Sequence, residues 1–231
     1  MRLLVTRPEP DATRTAQTLR ARGHDVLVAP LLQTQTIGVA FSGPYAAVLM
    51  TSANAARALA SHPRAAELTR LPALTVGARS ADAARVAGFG DVTSADGALG
   101  DLVTLAASRF AGGSLLYLAG EDRAGDFAGD LAAHGVTVET AVIYRAIAAE
   151  RLPADLKQAL ANGALDGALH YSRRSVTTLI ELCRAAGVLD GLLNLAHTCL
   201  SDEVAAALRN AGARHISVAP RPDEAALTGL L

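Results

Sequence analysis

Residues 47–57 read Ala47-Val48-Leu49-Met50-Thr51-Ser52-Ala53-Asn54-Ala55-Ala56-Arg57. An apolar run too short for a helix ends on two hydroxyl residues, and an Ala-rich stretch with helical spacing starts directly after them. A short apolar strand, then a Ser or Thr able to accept free N–H groups, then a helix, is the order of a βα unit. The same order recurs in both directions from this point. Strands are expected at Leu3–Thr6, Val26–Pro30, Ala47–Thr51, Leu74–Gly77, Leu115–Ala119, Ala168–Ser172, Ala196–Ser201 and Ile216–Ala219. Helices such as Pro10–Arg22, Arg79–Ala87, Ala124–His134 and Glu203–Ala211 fill most of the gaps. Gly23, Gly88, Gly135 and Gly212 follow helices at the point where a left-handed residue closes the last turn. The alternation predicts an α/β fold with parallel sheet strands flanked by helices.

Two segments break this grammar: Leu31-Leu32-Gln33-Thr34-Gln35-Thr36-Ile37 and Thr137-Val138-Glu139-Thr140-Ala141-Val142-Ile143-Tyr144-Arg145-Ala146-Ile147. Both are rich in β-branched residues and lack a helical period, so both are expected to be extended. They fit edge strands of one continuous sheet, and equally a pair of connectors crossing between two domains. A chain of 231 residues has room for two small α/β cores.

Composition excludes several function classes. Apolar residues make up 51% of the chain, but no run reaches the ~20 residues of a membrane span. The opening Met1-Arg2-Leu3-Leu4-Val5-Thr6-Arg7 turns polar before the apolar stretch of a signal peptide is built, so a cytoplasmic location is expected. Cys183 and Cys199 have no CxxC spacing and read as small buried apolar residues; no metal site is expected. A net charge of −1 with both signs scattered supplies no field for nucleic acid or an anionic membrane. The absence of Trp and the scarcity of other aromatics remove the stacking platform of a single-strand binder.

Parallel sheets bind ligands beyond the carboxyl ends of their strands. The junctions there are Thr6-Arg7-Pro8-Glu9, Thr51-Ser52-Ala53-Asn54, Gly77-Ala78-Arg79-Ser80, Gly120-Glu121-Asp122-Arg123, Tyr171-Ser172-Arg173-Arg174-Ser175, Leu200-Ser201-Asp202-Glu203 and Pro220-Arg221-Pro222-Asp223. Helix-opening N–H groups beside small hydroxyls and Arg suit carboxylates or phosphates, although N-capping alone accounts for any one of them. Their recurrence points to a surface of anion sites. P-loop, GxSxG, HExxH and GxGxxG patterns are absent. His170, lying in a strand, reads as a packed residue rather than a base. Glu121 and Asp122 read as partners of a helix dipole rather than an acid–base pair.

At these junctions the sequence resembles the uroporphyrinogen-III synthase family, nearly end to end. The resemblance is carried by Val5-Thr6-Arg7-Pro8, Met50-Thr51-Ser52-Ala53-Asn54-Ala55, Thr75-Val76-Gly77 with Ala84-Arg85 and Gly88-Phe89, and Leu116-Tyr117-Leu118-Ala119-Gly120 with Arg123. It continues through Gly135-Val136, Val142-Ile143-Tyr144-Arg145, Tyr171-Ser172-Arg173-Arg174-Ser175-Val176, Ser201 with Val204-Ala205, and Pro220-Arg221-Pro222. The order and spacing of these pieces are more specific than any one of them.

The resemblance implies two α/β domains, each with a central parallel β-sheet flanked by helices, joined by two extended crossing strands. The first domain would comprise 1–33 and 151–231, the second 38–143, with 34–37 and 144–150 as connectors and the active site in the cleft between domains. The implied substrate is hydroxymethylbilane, a linear tetrapyrrole with carboxylates on every ring. It would lose its terminal hydroxyl, close through a spiro intermediate and invert ring D, giving uroporphyrinogen III in haem biosynthesis without a metal or organic cofactor. Tyr144 matches the family's return-connector tyrosine, implying a hydrogen bond or proton to the departing hydroxyl. Thr51, Ser52, Ser80, Ser172 and Ser201 match carboxylate-binding positions acting largely through their backbone, with Ser80 and Ser201 the looser matches. Arg7, Arg123 and Arg173 are the implied charged partners. A monomer is the default by family precedent, and a transient contact with the preceding deaminase is left open. The same junctions would also serve a non-catalytic two-lobed module closing on an anionic metabolite. A response-regulator-like domain fits less well, because the strand ends lack its paired Asp.

Overall fold

The computed structural model describes residues 1–122 and 126–231. In chain order its elements are β1 Arg2–Val5, α1 Asp11–Ala21, β2 Asp25–Val28, β3 Leu32–Thr36, β4 Ala47–Met50, α2 Ala53–Leu59, α3 Ala65–Leu68 and β5 Ala73–Thr75. There follow α4 Ala78–Val86, β6 Val92–Ser94, α5 Leu99–Phe110, β7 Ser114–Gly120, α6 Phe127–Ala132, β8 Thr137–Ala148 and α7 Ala154–Ala161. The chain ends with β9 Gly167–His170, α8 Arg173–Ala185, α9 Leu189–Leu193, β10 Ala196–Cys199, α10 Asp202–Ala211, β11 Ile216–Val218 and α11 Glu224–Thr228. It divides into two compact units, Met1–Gln33 with Ile147–Leu231, and Thr34–Ala146.

The first unit holds a five-stranded sheet in the order β11-β10-β9-β1-β2, with every pair parallel. Its central strands are apolar on both faces, as a sheet covered by helices on both sides requires. Leu3 and Val5 turn toward α1 and α11, packing with Ala12, Leu19 and Leu227. Leu4 turns the other way, into the larger core that Leu156, Val176, Leu179, Leu192 and Leu208 bring from α7 to α10. Burying each such leucine contributes roughly 1.5–3 kcal/mol, and the alternation fixes which helix covers which face.

The second unit holds a six-stranded sheet in the order β3-β8-β7-β4-β5-β6, parallel from β8 to β6. Val48, Met50 and Leu116 pack on one face with α2 and α4, and Leu49, Leu74 and Leu115 on the other with α5 and α6. The two segments that broke the βα grammar are β3 and β8. The Ile37 N–H donates to the Ile143 carbonyl and the Ala149 N–H to the Leu31 carbonyl, each at 2.8 Å, so the two strands run antiparallel. Both segments are extended, as expected, but in one of two separate sheets rather than in one continuous sheet, and only β3 is an edge strand, β8 lying between β3 and β7. The boundaries of the two compact units fall after Gln33 and after Ala146.

The glycines expected to end helices have φ of 83° at Gly23, 104° at Gly88, 74° at Gly135 and 102° at Gly212, where a side chain would strain the backbone. Several strands stop a residue or more short of their expected ends. Ser172 and Ser201, expected as last residues of strands, are instead the N-caps of α8 and α10. Strand β6 has no sequence signal. Its three residues are half-exposed at a sheet edge, and only pairing with β5 makes them a strand. The helix expected from Ala124 is α6, beginning at Phe127 with Asp126 as N-cap. Glu121 and Asp122 lie in the bend after β7, before residues 123–125, and so do not open the helix whose dipole they were expected to meet. Among the described residues no helix is long and apolar enough to cross a membrane.

Candidate active site

In each unit the parallel pairing brings the carboxyl ends of the strands to one edge. The crevice opens where neighbouring strands send their following helices to opposite faces. In the second unit that point lies between β4 and β7, since β4 leads into α2 on one face and β7 toward α6 on the other. Thr51 and Ser52 follow β4, and Gly120 ends β7. Next to Gly120 lies Tyr144.

An irregularity of β8 delivers Tyr144 to this place. Ala119 pairs with Val142, but Gly120 pairs with Tyr144, so Ile143 is an extra residue. Such a bulge re-aims the side chain that follows it. Ile143 is buried in the core with Ala141, while Tyr144 is half-buried at its margin. The ring lies where a side chain on Gly120 would be: a Cβ there would stand 2.7 Å from Cζ and 2.8 Å from the hydroxyl of Tyr144. The Gly120 carbonyl end is tied in as well, for the Glu121 N–H donates to the Tyr144 carbonyl at 2.9 Å.

Desolvation raises the pKa of the Tyr144 phenol above its ordinary value, and the nearby Tyr117 adds to this; a hydrogen bond with the Ser52 side chain opposes it. The group is therefore a protonated donor at neutral pH. Ser52 is itself fixed as the N-cap of α2, accepting from the Asn54 N–H at 3.2 Å. Thr51 and Tyr117 share a hydrogen bond of 2.9 Å between hydroxyls, and the Tyr117 ring meets Phe127 edge-on at 4.8 Å. Tyr117 does not stand out in the sequence as a site residue, because a tyrosine inside an apolar strand reads as core, and only the β4–β7 pairing sets it against Thr51.

Ser80 belongs to the same edge but differs in kind. It is the third residue of α4, is buried at 6% exposure, and its N–H donates to the Gly77 carbonyl at 3.0 Å. Its backbone donor is thus already satisfied.

In the first unit the corresponding crevice lies between β1 and β9, whose helices α1 and α8 cover opposite faces. Arg7 bridges it, 3.9 Å above the Tyr171 ring. Only 6% exposed, it donates to Thr15 at 3.0 Å and to Glu224 at 3.2 Å, and it pairs with Asp11 at 3.4 Å. Glu224 also accepts from Thr15 and from Tyr171. Burial, followed by the Glu224 charge, pushes the Tyr171 phenol up to about 12. A substrate carboxylate would have to compete with two resident carboxylates for Arg7.

Ser172 caps α8, accepting from the Ser175 N–H at 3.2 Å and donating to the Ser175 hydroxyl at 2.9 Å. Ser201 caps α10, accepting from Val204 at 3.4 Å. Arg173 is exposed, 4.0 Å from Glu203. The structure thus gathers Thr51, Ser52, Ser80 and Tyr144 on the strand-end edge of the second unit, and Arg7, Ser172, Arg173 and Ser201 on that of the first. Arg123 lies outside the described residues.

His170 and Cys183 behave as expected of packed residues. His170 is 1% exposed, and burial pushes the thiols of Cys183 and Cys199 up to about 12. No local signal in the chain announces that His170 bonds His197 on the neighbouring strand, Nε2 to Nδ1 at 2.9 Å.

Comparisons with known proteins bear on this arrangement. No curated protein matches the sequence. Among solved structures, uroporphyrinogen-III synthetase from Helicobacter pylori is similar over 100% of this chain and 98% of its own, at 18% identity with a TM-score of 0.67. A mutant uroporphyrinogen III synthase from the extremely thermophilic bacterium Thermus thermophilus is similar over 100% of this chain and 97% of its own, at 20% identity and a TM-score of 0.54. At these identities the likeness speaks for the two-domain α/β fold. The family model for uroporphyrinogen-III synthase HemD matches residues 13–229, and the chain belongs to the uroporphyrinogen-III synthase family of cyclising lyases.

Proposed function

We propose that the strand-end loops of both units bind the carboxylates of hydroxymethylbilane, and that Tyr144 supplies the proton with which its terminal hydroxyl leaves. One observation carries this reading: a half-buried, protonated phenol is held at the switch point of the second unit, among the hydroxyls of Ser52 and Thr51. The phenol proton passes to the hydroxyl, and the C–O bond breaks with its electron pair on oxygen. Water departs and an azafulvenium is left. The far ring attacks through its substituted carbon to give a spiro centre. That centre fragments and recloses with the ring reversed, and the proton lost from the ring restores the phenol. No electrons are gained or lost overall.

The remaining selectivity is conformational. Unassisted closure gives the type I isomer, so binding must hold the chain where the inverting attack is the nearer one. Thr51, Ser52, Ser80, Ser172, Ser201, Arg123 and Arg173 are the proposed carboxylate positions. Arg7 joins them only if a substrate carboxylate displaces Glu224. We take residues 34–37 and 144–150 as connectors between domains at 1–33 with 151–231 and at 38–143, and the enzyme as a cytoplasmic monomer.

The test supplies freshly generated hydroxymethylbilane to the purified protein, oxidises the products and separates the uroporphyrin isomers. Predominantly type III is expected; type I alone from folded protein would overturn the reading.

A second experiment separates backbone from side-chain binding at α8. Ser172→Ala removes an N-cap and should cost about 1 kcal/mol of stability, yet change turnover by no more than about twofold if the main chain holds the carboxylate. A large loss of turnover at unchanged stability would assign the binding to the hydroxyl instead.

A further inference from the structure

The carboxylate that holds Arg7 also reaches a second strand-end loop of the first unit. We infer that Glu224 is a positioning residue: its Oε1 ties the loops after β1 and β9 to the helix after β11, fixing the spacing at which the first unit meets substrate carboxylates. The inference rests on the reading of Ser172 as one of those carboxylate positions.

Three donors converge on this one oxygen, each from a different part of the unit. Arg7, just after β1, donates at 3.2 Å. Thr15, in the second turn of α1, donates at 2.5 Å, and Tyr171, just after β9, at 3.2 Å. Arg7 Nη1 also donates to Thr15 Oγ1 at 3.0 Å, which closes a triangle of hydrogen bonds. The guanidinium lies 3.9 Å above the Tyr171 ring, so that side chain is fixed both by its face and by its hydroxyl. Tyr171 precedes Ser172, the N-cap of α8. Whatever fixes its ring therefore steadies the turn whose N–H groups are to receive a carboxylate.

Helix α11 is anchored independently of this carboxylate. Leu227 packs with Leu3, Val5, Ala12 and Leu19, and the Arg22 guanidinium donates to the Thr228 carbonyl at 2.9 Å. Asp223 caps the helix, accepting from the Ala226 N–H at 2.7 Å. Glu224 is thus presented by a helix already docked. Arg7 is 6% exposed and Thr15 wholly buried, so a substrate carboxylate reaches neither without first expelling Glu224. A polycarboxylate held at several loops binds well only while the loops keep their spacing, because simultaneous engagement depends on geometry.

Glu224→Gln keeps the shape and one acceptor oxygen while removing the charge. With hydroxymethylbilane as substrate it should raise KM about tenfold, the worth of one hydrogen bond to a charged group, and leave kcat nearly unchanged. Tyr171→Phe keeps the ring under Arg7 and drops only its hydroxyl. It should raise KM to a similar extent, and the double variant should cost no more than the larger single change. The chain has four tyrosines, so ring-labelled protein gives a resolvable set of ¹³Cζ resonances, with that of Tyr171 identified by its loss in Tyr171→Phe. This resonance should move in Glu224→Gln; if it does not, the tie between the two is overturned. A fall in KM in Glu224→Gln overturns the positioning role by making Glu224 a competitor that substrate displaces from Arg7. An unchanged KM with a lowered thermal transition overturns it too, leaving a structural ion pair. Type I product alone from folded wild-type protein instead removes the reading on which the role rests, and the resonance still reports whether Glu224 holds Tyr171.

Discussion

Tyr144→Phe should lower kcat by about a hundredfold, the lower end of what a positioned general acid contributes, with KM and the thermal transition nearly unchanged. The substitution removes one oxygen and keeps the ring. That ring packs at the margin of the core beside Ile143, and the hydroxyl lies at the crevice, so the loss should fall on chemistry rather than on folding. Unassisted closure continues, so the product at long times should shift toward the type I isomer. Single-turnover measurements on the preformed bilane separate binding from chemistry: the loss should appear in the first-order step at saturating substrate. A rise in KM with kcat retained would make Tyr144 an anchor for substrate rather than the acid.

Acidification should destabilise the first unit by about 4 kcal/mol between about pH 6.5 and 4.5, through the buried His170–His197 pair. Both rings are about 1% exposed. Strand pairing sets Cys199 opposite His170 and Ala168 opposite His197, which turns both rings to the same face of the sheet. Each ring has one nitrogen in the shared bond; His170 Nδ1 and His197 Nε2 make no hydrogen bond of good geometry. Burial first, and the neighbouring His197 second, push His170 down from 6.5 to about 3. Burial likewise pushes His197 down to about 4, with the Leu192 backbone opposing the shift and His215 adding to it.

The direction follows from these values. The folded state keeps both rings neutral, while the unfolded chain takes up protons below about pH 6.5. Stability is complete above that pH and falls as acid is added, until the folded rings also titrate near pH 4 and 3. Between those limits each histidine contributes a slope of about 1.4 kcal/mol per pH unit. Against a total stability of about 5–15 kcal/mol, the loss is large. Urea unfolding of the whole chain at about pH 7 and about pH 4.5 measures it. The double substitution His170→Leu with His197→Leu removes both partners together and should flatten the pH dependence, while a single substitution leaves the other ring unpaired and costs stability at every pH. An unchanged slope in the double variant would assign the acid sensitivity to carboxylates.

Much of the site's location is legible in the chain before folding is considered. Leu49-Met50-Thr51-Ser52 announces a strand end and a helix start because both signals, β character and N-cap chemistry, are local. Tyr144 stands out through its family match rather than through any period, since β8 carries no sharp alternation. Arg7 shows the limit of the local view. Beside a strand end and a Pro it reads as an anion ligand, yet Glu224 lies 217 positions away in sequence and holds it at 3.2 Å. Glu121 and Asp122 stop short of the helix they were expected to open, which begins only at Phe127 with Asp126 as its N-cap.

By itself the sequence determined the βα order, the parallel sheets, the glycine-closed helices and the edge on which hydroxyls and arginines collect, because each depends on residues within one helical turn or one strand of one another. Tertiary structure alone decided the bulge that sets Tyr144 against Gly120, the Ser52 and Tyr117 contacts around it, the capture of Arg7 by Glu224 and the pairing of His170 with His197. Each of these depends on the register between strands or on where a distant helix docks. That register is chosen by the packing of whole apolar faces, and no short stretch of the chain contains it.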